Sequence, residues 1–215
     1  MAELKVIVFG DSIAVGDGVP VHKGWVYKIS ESISEDYEGV VVYNSSVSGE
    51  TTRQALLRMS YNIFNKGFKI MVLQFGLNDC NRWKTESDLP RVNITSFKHN
   101  LMEIIEKSMV DGIEHFIINT NHPSSIKYYQ DDLKEYNKVI REVANFYGDS
   151  VQLMDIEDMM LRNMKIGHTL EDFVLPDGVH LTERGHTFYY RYLYVVLERI
   201  FVDNYDYVYS RQRTI

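Results

Sequence analysis

The chain has one cysteine, Cys80, among its 215 residues, so an internal disulfide is excluded. No segment approaches the roughly 20 consecutive apolar residues that a membrane-spanning helix needs. The first residues carry no charged segment followed by a long apolar stretch and a small-residue cleavage site, so we expect no secretory leader. Together with the scarcity of cysteine, this predicts a cytoplasmic protein.

Positive charge is also in short supply. The chain has 23 lysines and arginines against 30 aspartates and glutamates, a net charge of −7, and its basic residues form no stripe. Nucleic acid is therefore not an expected partner. A phosphate-binding loop motif is missing, and Gly16-Asp17-Gly18 lacks the third glycine of a dinucleotide fingerprint.

Metal-ligand spacings such as His-Glu-x-x-His do not occur either. A metal site built from Asp11, Asp79, Asp177 and His180 is conceivable, but nothing in the spacing of these residues favours it. We therefore expect neither a metal nor a cofactor.

Five short apolar runs are present, and they do not alternate apolar with polar residues. This is typical of strands that are buried on both faces of a sheet. They span 4–9, 40–43, 70–75, 116–118 and 151–154. With 45% hydrophobic residues and no repeat or linker, the chain predicts one domain over residues 1–215.

Helical patterns separate these runs. The apolar stripes consist of Phe97, Leu101, Ile104, Ile105 and Met109 in one segment and Leu133, Tyr136, Val139, Ile140 and Val143 in another. Weaker patterns cover 25–33 and 54–64, and a long final helix is expected over 182–202 with Thr182 as its N-cap. The alternation predicts an α/β fold with a parallel sheet and helices on both faces. A tyrosine-rich tail from about residue 203 either packs on the domain or forms a subunit contact, which leaves a homo-oligomer open.

Ser12 lies directly after the first apolar run, in Gly10-Asp11-Ser12. Ligands of open α/β sheets bind outside the carboxyl ends of the strands, which is where this hydroxyl is expected to lie. Taken alone, Ser12 is better explained as a polar residue that caps the strand end or the next helix.

Candidates for the other groups of acyl transfer also follow predicted strands. The reaction needs a nucleophile, a base, a group that orients the base, and donors for the oxyanion. Gly49 has no Cβ to keep its N–H from a bound oxygen, and Asn78 offers a side-chain amide as a second donor. Asp177 precedes His180 by three residues with Gly178 between them, so its carboxylate can accept from one ring nitrogen while the other faces the nucleophile.

Each of these residues has an ordinary explanation when it is taken alone. Gly49 can be a turn glycine, Asn78 and Asp79 can be helix caps, and Asp177 and His180 can be a surface pair. The joint placement of these polar residues at the strand ends is what favours a site.

Four segments carry a resemblance to a known family. They are Phe9-Gly10-Asp11-Ser12, Asn44-Ser45-Ser46-Val47-Ser48-Gly49, Gly76-Leu77-Asn78-Asp79 and Asp177-Gly178-Val179-His180-Leu181. In this order they resemble the blocks of the SGNH hydrolases, also called the GDSL esterase/lipase superfamily, and the match spans about residues 4–195.

The resemblance implies a role for each matching residue. Ser12 is the expected nucleophile, His180 the general base and acid, and Asp177 the partner that orients it. The expected oxyanion hole consists of the Ser12 N–H, the Gly49 N–H and the Asn78 side chain. The resemblance also implies a three-layer α/β/α fold with a flavodoxin-like, five-stranded parallel sheet in the order 2-1-3-4-5.

Two positions depart from the family pattern. Ile13 replaces the leucine of the name-giving motif and is expected to point into the core. Ser46 stands where many members carry glycine and can alter the loop before Gly49.

We take Asp11 and His122 as candidates for substrate contacts, although His122 can also be a loop histidine without such a role. Trp25 and Trp83 either shape an acyl or sugar pocket or belong to the core or a lid. Cys80 is expected to be a small packing residue. His186 is expected on the final helix, where it is a poor rival of His180 as base.

The sequence thus predicts a serine esterase that hydrolyses a small-molecule carboxylic ester through an acyl-enzyme, with a short acyl or O-acetyl group favoured. Three alternatives stay open: a lysophospholipase or thioesterase, an acyltransferase with a sugar hydroxyl as acceptor, and a non-catalytic module that binds carbohydrate or acyl groups.

Overall fold

The computed structural model describes residues 3–82 and 88–205, and its centre is one five-stranded parallel sheet. The strands are β1 (Leu4–Gly10), β2 (Val40–Asn44), β3 (Phe68–Gln74), β4 (His115–Asn119) and β5 (Val151–Met154). Their order is β2-β1-β3-β4-β5, with Val8 of β1 opposite Asn44 of β2 and Val72 of β3. The predicted α/β/α fold and strand order are confirmed.

Eight α-helices surround the sheet in the described part of the chain. They are α1 (Ser12–Val15), α2 (Trp25–Asp36), α3 (Thr52–Asn62), α4 (Leu77–Cys80), α5 (Ile94–Val110), α6 (Lys127–Tyr147), α7 (Ile156–Lys165) and α8 (Glu183–Asn204). Helix α2 packs against α8, whereas α5 packs against both α3 and α6. The two groups cover opposite faces of the sheet, as right-handed crossovers require. No helix in the described ranges is long and apolar enough to cross a bilayer.

The central strands β1 and β3 are buried along almost their whole length, while the edge strands are partly exposed. Helices on both faces exclude water from the middle of the sheet, which is why the predicted runs do not alternate. The apolar stripes of α5 and α6 face this core. The polar loops at the carboxyl ends of the strands are therefore carried by a rigid base.

Helix ends follow local capping chemistry. The Thr182 hydroxyl accepts a 3.1 Å bond from the Gly185 N–H at the start of α8, as predicted. The helix runs to Asn204, two residues beyond the predicted end, and Tyr205 is buried with its hydroxyl donating to Glu114 at 3.2 Å. The first residues of the predicted tail thus belong to the domain, and residues 206–215 lie outside the described residues.

Candidate active site

Ser12 is the first residue of α1, in the tight turn that follows β1. The Asp11 carboxylate caps this helix by accepting the Ile13 N–H at 3.0 Å. From the core, the Trp25 indole N–H donates to the Ile13 carbonyl at 2.8 Å. These bonds hold the Ser12 hydroxyl at the carboxyl edge of the sheet.

His180 and Asp177 approach Ser12 from the other end of the chain. The His180 Nε2 lies 3.1 Å from the Ser12 Oγ, and its Nδ1 lies 2.7 Å from the Asp177 Oδ2. The other carboxylate oxygen, Oδ1, accepts the N–H groups of Val179 and His180, both at 2.9 Å. The structure therefore brings together the three residues that the sequence placed in one catalytic group.

The hydrogen bonds fix where the protons lie. Burial by itself would raise the pKa of Asp177, but the N–H groups of Val179 and His180 and the His180 ring outweigh it, so this pKa lies below its ordinary value. A carboxylate accepts, so the proton of the neutral His180 ring is on Nδ1. The lone pair on Nε2 then faces the Ser12 hydroxyl and can take its proton.

Gly178 allows the chain to turn between Asp177 and His180. Its φ is +77°, and a Cβ there would lie 2.6 Å from the Ser125 Oγ and 2.7 Å from the Ile126 Cγ1. Only glycine fits both the left-handed backbone and the close contact with the segment after β4.

Gly49 lies in the loop between β2 and α3, again with a left-handed φ of +77°. The Val47 N–H ties this loop to the Gly10 carbonyl at 3.0 Å. On its other side, Glu50 forms a buried ion pair with Arg58, in which the Arg58 Nε lies 2.6 Å from the Glu50 Oε1. The Gly49 N–H has no hydrogen-bond partner among the described residues, so it is free to donate to an anionic oxygen.

Ser46, which stands where many family members carry glycine, is compatible with the conformation of this loop. Its N–H donates to the Asn44 Oδ1 at 3.1 Å, and the Asn44 amide donates in turn to the Ala14 carbonyl at 3.0 Å. The Asn44 side chain at the end of β2 therefore links the start of this loop to α1. Ile13 is buried, as expected for the other departure from the family pattern.

Asn78 joins the site through α4. Its amide nitrogen lies 3.3 Å from the Asp11 Oδ2, and the Arg91 Nη1 lies 3.3 Å from its oxygen. The oxygen and nitrogen ends are thus held by two different partners. Asp11 is fully buried, and burial is the main reason why its pKa rises to about 7. Through Asp11, one carboxylate connects the Ser12 turn with the Asn78 amide.

Asp79, the next residue, holds α4 against α3. Its Oδ1 accepts the N–H of Thr52 at 3.0 Å and the hydroxyl of Thr52 at 2.5 Å. Its Oδ2 is buried with no partner among the described residues. Burial raises the pKa of Asp79 to about 6. Asp79 therefore fixes the helix that carries Asn78 instead of capping it.

The structure does not place the two candidate substrate contacts at the surface. Asp11 and His122 are both fully buried. The His122 Nδ1 lies 3.0 Å from the Tyr189 hydroxyl, and its Nε2 lies 2.7 Å from the Val179 carbonyl. Both side chains lie beneath the site, where they support it and do not face a substrate.

The other sequence candidates within the described residues make their contacts away from the reacting groups. Trp25 is buried and stacks on Tyr189, with ring centroids 5.8 Å apart, so it belongs to the core. Cys80 is buried too, and burial raises the pKa of its thiol. His186 is on α8, as expected, and its Nδ1 accepts the Trp25 N–H at 3.3 Å. Trp83 lies outside the described residues.

Metal-ligating side chains do not cluster here. Within residues 3–82 and 88–205, no group of three or more histidine, cysteine, aspartate or glutamate side chains is arranged to hold a metal ion.

Comparison with known proteins decides the family. A model of the GDSL-like lipase/acylhydrolase family matches residues 6–193. The chain belongs to the GDSL-like lipase/acylhydrolase family. This confirms the resemblance seen in its four motifs, and the activity of the chain is that of a GDSL esterase or acylhydrolase.

Individual GDSL relatives are distant in sequence but close in fold. An arylesterase of Vibrio mimicus is 24% identical over 181 residues, which cover 83% of this chain and 80% of that protein. A lipase/acylhydrolase from Enterococcus faecalis has a TM-score of 0.73 at 22% identity, over 97% of this chain and 99% of its own. An acetylxylan esterase from Geobacillus stearothermophilus has a TM-score of 0.74 at 17% identity, over 98% of each chain. These solved structures share the fold.

Proposed function

We propose that this GDSL hydrolase is a serine esterase that cleaves short-chain acyl or O-acetyl esters through an acyl-enzyme on Ser12. The observation that carries the proposal is the continuous contact from Asp177 through His180 to Ser12, at 2.7 Å and 3.1 Å. A hydroxyl, an imidazole and a carboxylate in this order match the requirements of nucleophilic acyl transfer.

The first half of the reaction transfers the acyl group to the enzyme. The Ser12 Oγ attacks the carbonyl carbon while its proton moves to the His180 Nε2. Asp177 keeps the ring in place and stabilises its positive charge. The tetrahedral intermediate collapses as His180 returns the proton to the leaving alkoxide, and the alcohol departs.

The second half repeats these steps with water. His180 takes a proton from water as the oxygen attacks the acyl-enzyme, and the Ser12 Oγ leaves with the proton that His180 carried. The carboxylic acid is released, and the enzyme returns to its starting state.

Three donors stabilise the negative charge on the carbonyl oxygen: the N–H groups of Ser12 and Gly49 and the amide of Asn78. An amide nitrogen carries two hydrogens, and Asp11 accepts only one of those on Asn78. The second is then free for the oxyanion, in an orientation that Asp11 and Arg91 fix. Donors that need no rearrangement are the effective kind.

The preference for a short acyl group is the finer part of this proposal. It is supported by the acetylxylan esterase among proteins of this fold, and an arylesterase among the relatives is compatible with it. The triad can activate either water or an alcohol to attack the acyl-enzyme. Hydrolysis and acyl transfer must therefore be distinguished by product analysis.

A panel of p-nitrophenyl esters from acetate to palmitate tests the acyl preference, followed by acetylated sugars. We expect kcat/KM to be highest for acetate or butyrate. A maximum at long chains would instead favour the lysophospholipase or thioesterase alternative, and transfer to an added sugar alcohol would favour the acyltransferase.

The matched control is Ser12→Ala, which removes one oxygen and leaves the Asp177–His180 pair intact. It should abolish turnover at unchanged thermal stability, and a phosphonate ester should label Ser12 of the wild type alone in a mass-spectrometric digest. Wild-type turnover by Ser12→Ala would overturn the proposed function, and turnover by neither protein on any ester would favour a binding module.

A further inference from the structure

Two peptide groups in the loop from Asp177 to His180 are hydrogen-bonded on both sides. Their N–H groups, from Val179 and His180, both donate to the Asp177 Oδ1. Their carbonyls, from Gly178 and Val179, accept from side chains of the segment after β4. The Ser124 hydroxyl donates to Gly178 O at 2.6 Å, and the His122 Nε2 lies 2.7 Å from Val179 O.

The direction of the His122 bonds follows from its burial. Burial lowers the pKa of this histidine to about 4, so the ring is neutral near pH 7 and carries one proton. The Val179 carbonyl can only accept, which places that proton on Nε2. Nδ1 is then an acceptor, and the Tyr189 hydroxyl donates to it at 3.0 Å.

His122 also lies in a chain of contacts that ends under the nucleophile. Tyr189, its partner, stacks on Trp25, and the Trp25 indole donates to the carbonyl of Ile13, next to Ser12. The chain thus joins the loop of the base to the helix of the nucleophile beneath the sheet edge. All three aromatic side chains are fully buried, so the path has little freedom to move.

We propose that His122 and Ser124 are positioning residues that hold the Asp177 carboxylate and, through it, the His180 ring. The inference rests on the proposed function, since it concerns the same base. Each side chain binds the carbonyl of a peptide group whose N–H binds Asp177 Oδ1. Hydrogen bonds in series polarise one another, so a donor on the carbonyl strengthens the N–H bond on the other side.

The paired bonds also fix geometry. With both peptide planes held, Oδ1 is occupied by two donors and Oδ2 alone is left for the His180 Nδ1. Loss of the donor on Val179 O frees the peptide between Val179 and His180 to rotate. The imidazole then moves relative to Ser12, and displacements of about 1 Å cost about 100-fold in rate.

Two substitutions of His122 distinguish the loss of its hydrogen bond to Val179 O from a general loss of packing. His122→Gln places an amide N–H close to the position of Nε2 and keeps a donor for Val179 O. His122→Asn is shorter, reaches only the position of Nδ1, and loses that donor. Ser124→Ala removes the second donor with the loss of a single oxygen. His186→Asn is the matched control, because His186 is also a buried histidine but contacts the Trp25 N–H instead of the base loop.

The readouts are kcat and KM on p-nitrophenyl acetate and the low-field proton NMR signal of the His180–Asp177 bond. We expect His122→Asn to lower kcat by about 10-fold to 100-fold with KM within about twofold, and to shift or broaden the signal. His122→Gln should retain most of the wild-type kcat and most of the NMR signal. Ser124→Ala should fall between His122→Gln and His122→Asn, and His186→Asn should match the wild type.

Wild-type kcat and an unchanged signal in folded His122→Asn would overturn the inference, as would equal losses in His122→Gln and His122→Asn. If His122→Asn does not fold, Ser124→Ala decides on the same two readouts. Ser12→Ala keeps this test separate from the proposed function: if it retains activity, the function itself is wrong, whereas an inactive Ser12→Ala beside a fully active His122→Asn overturns only the positioning role.

Discussion

Asp79→Asn should remove a contribution to the stability of this protein that declines as the pH rises. The Asp79 carboxyl is fully buried, and only its Oδ1 has partners, the N–H and hydroxyl of Thr52. Asparagine has the same shape, and its oxygen can accept both bonds. The substitution therefore removes the charge and keeps the contact between α3 and α4.

The magnitude follows from the pKa of Asp79, which burial raises from 3.8 to about 6. The folded protein holds this proton more tightly than the unfolded chain, so the stability that the group contributes is fully present below pH 3.8 and is lost as the pH rises through about 6. The gap between the two values corresponds to about 3 kcal/mol, at about 1.4 kcal/mol for each pKa unit.

Urea denaturation of both proteins between pH 4 and pH 8, followed by circular dichroism, measures the effect. The free energy of unfolding of Asp79→Asn minus that of the wild type should rise by about 2.5 kcal/mol across this range, because part of the effect lies below pH 4. Asp131→Asn, at the surface of α6, is the control and should stay within about 0.5 kcal/mol. A difference for Asp79→Asn that is flat or falls with pH would refute the reasoning.

Three further substitutions test the site. Asn78→Ala should lower kcat on p-nitrophenyl acetate by about 100-fold to 1,000-fold with a smaller change in KM, because it removes one oxyanion donor. Gly49→Ala meets no atom within 4 Å of the new Cβ, so thermal denaturation should show only the cost of holding a Cβ at φ +77°, about 1 kcal/mol. Arg58→Met leaves the buried Glu50 unpaired and should cost about 3 kcal/mol or more in urea denaturation.

Most of the fold was predictable because its signals are local. The apolar runs 4–9 and 70–75 correspond to β1 and β3, and burial on both faces explains why they do not alternate. The start of α8 was predictable from Thr182, whose hydroxyl caps a helix that begins one residue later. Its end was not, since Tyr205, which follows the last helical residue, is held by a residue far away in the chain through its bond to Glu114.

The candidate site was predictable where a short motif carries its chemistry. Ser12, Asn78, Asp177 and His180 each stand in a recognisable segment, and three of them form the chain of contacts seen in the structure. The supporting residues have no such signal. His122 binds the carbonyl of a residue 57 positions later, and a backbone carbonyl leaves no mark on the sequence of its partner. Long-range partners of this kind require the fold to be known.

Four buried groups beneath the site oppose one another in their response to pH. Burial raises the pKa of Asp11 to about 7 and of Asp79 to about 6, so in moderate acid both hold protons that the unfolded chain releases. Burial lowers the pKa of His122 to about 4 and of His186 to about 3. In the same pH range both rings are therefore neutral in the folded protein, whereas the unfolded chain protonates them. Between about pH 4.5 and pH 6 the two pairs cancel, because folded and unfolded chains bind equal numbers of these protons.

In that interval these four groups together should contribute little to the pH dependence of stability, and single substitutions should expose the opposing contributions. His186→Asn keeps an acceptor for the Trp25 N–H and removes one proton from the unfolded chain. Its free energy of unfolding relative to that of the wild type should therefore fall by about 2 kcal/mol from pH 4.5 to pH 6. Asp79→Asn should show the opposite slope in the same urea titrations. Parallel slopes for the two variants would mean that these residues do not carry the opposing protons, because removing an acid and removing a base must act in opposite directions.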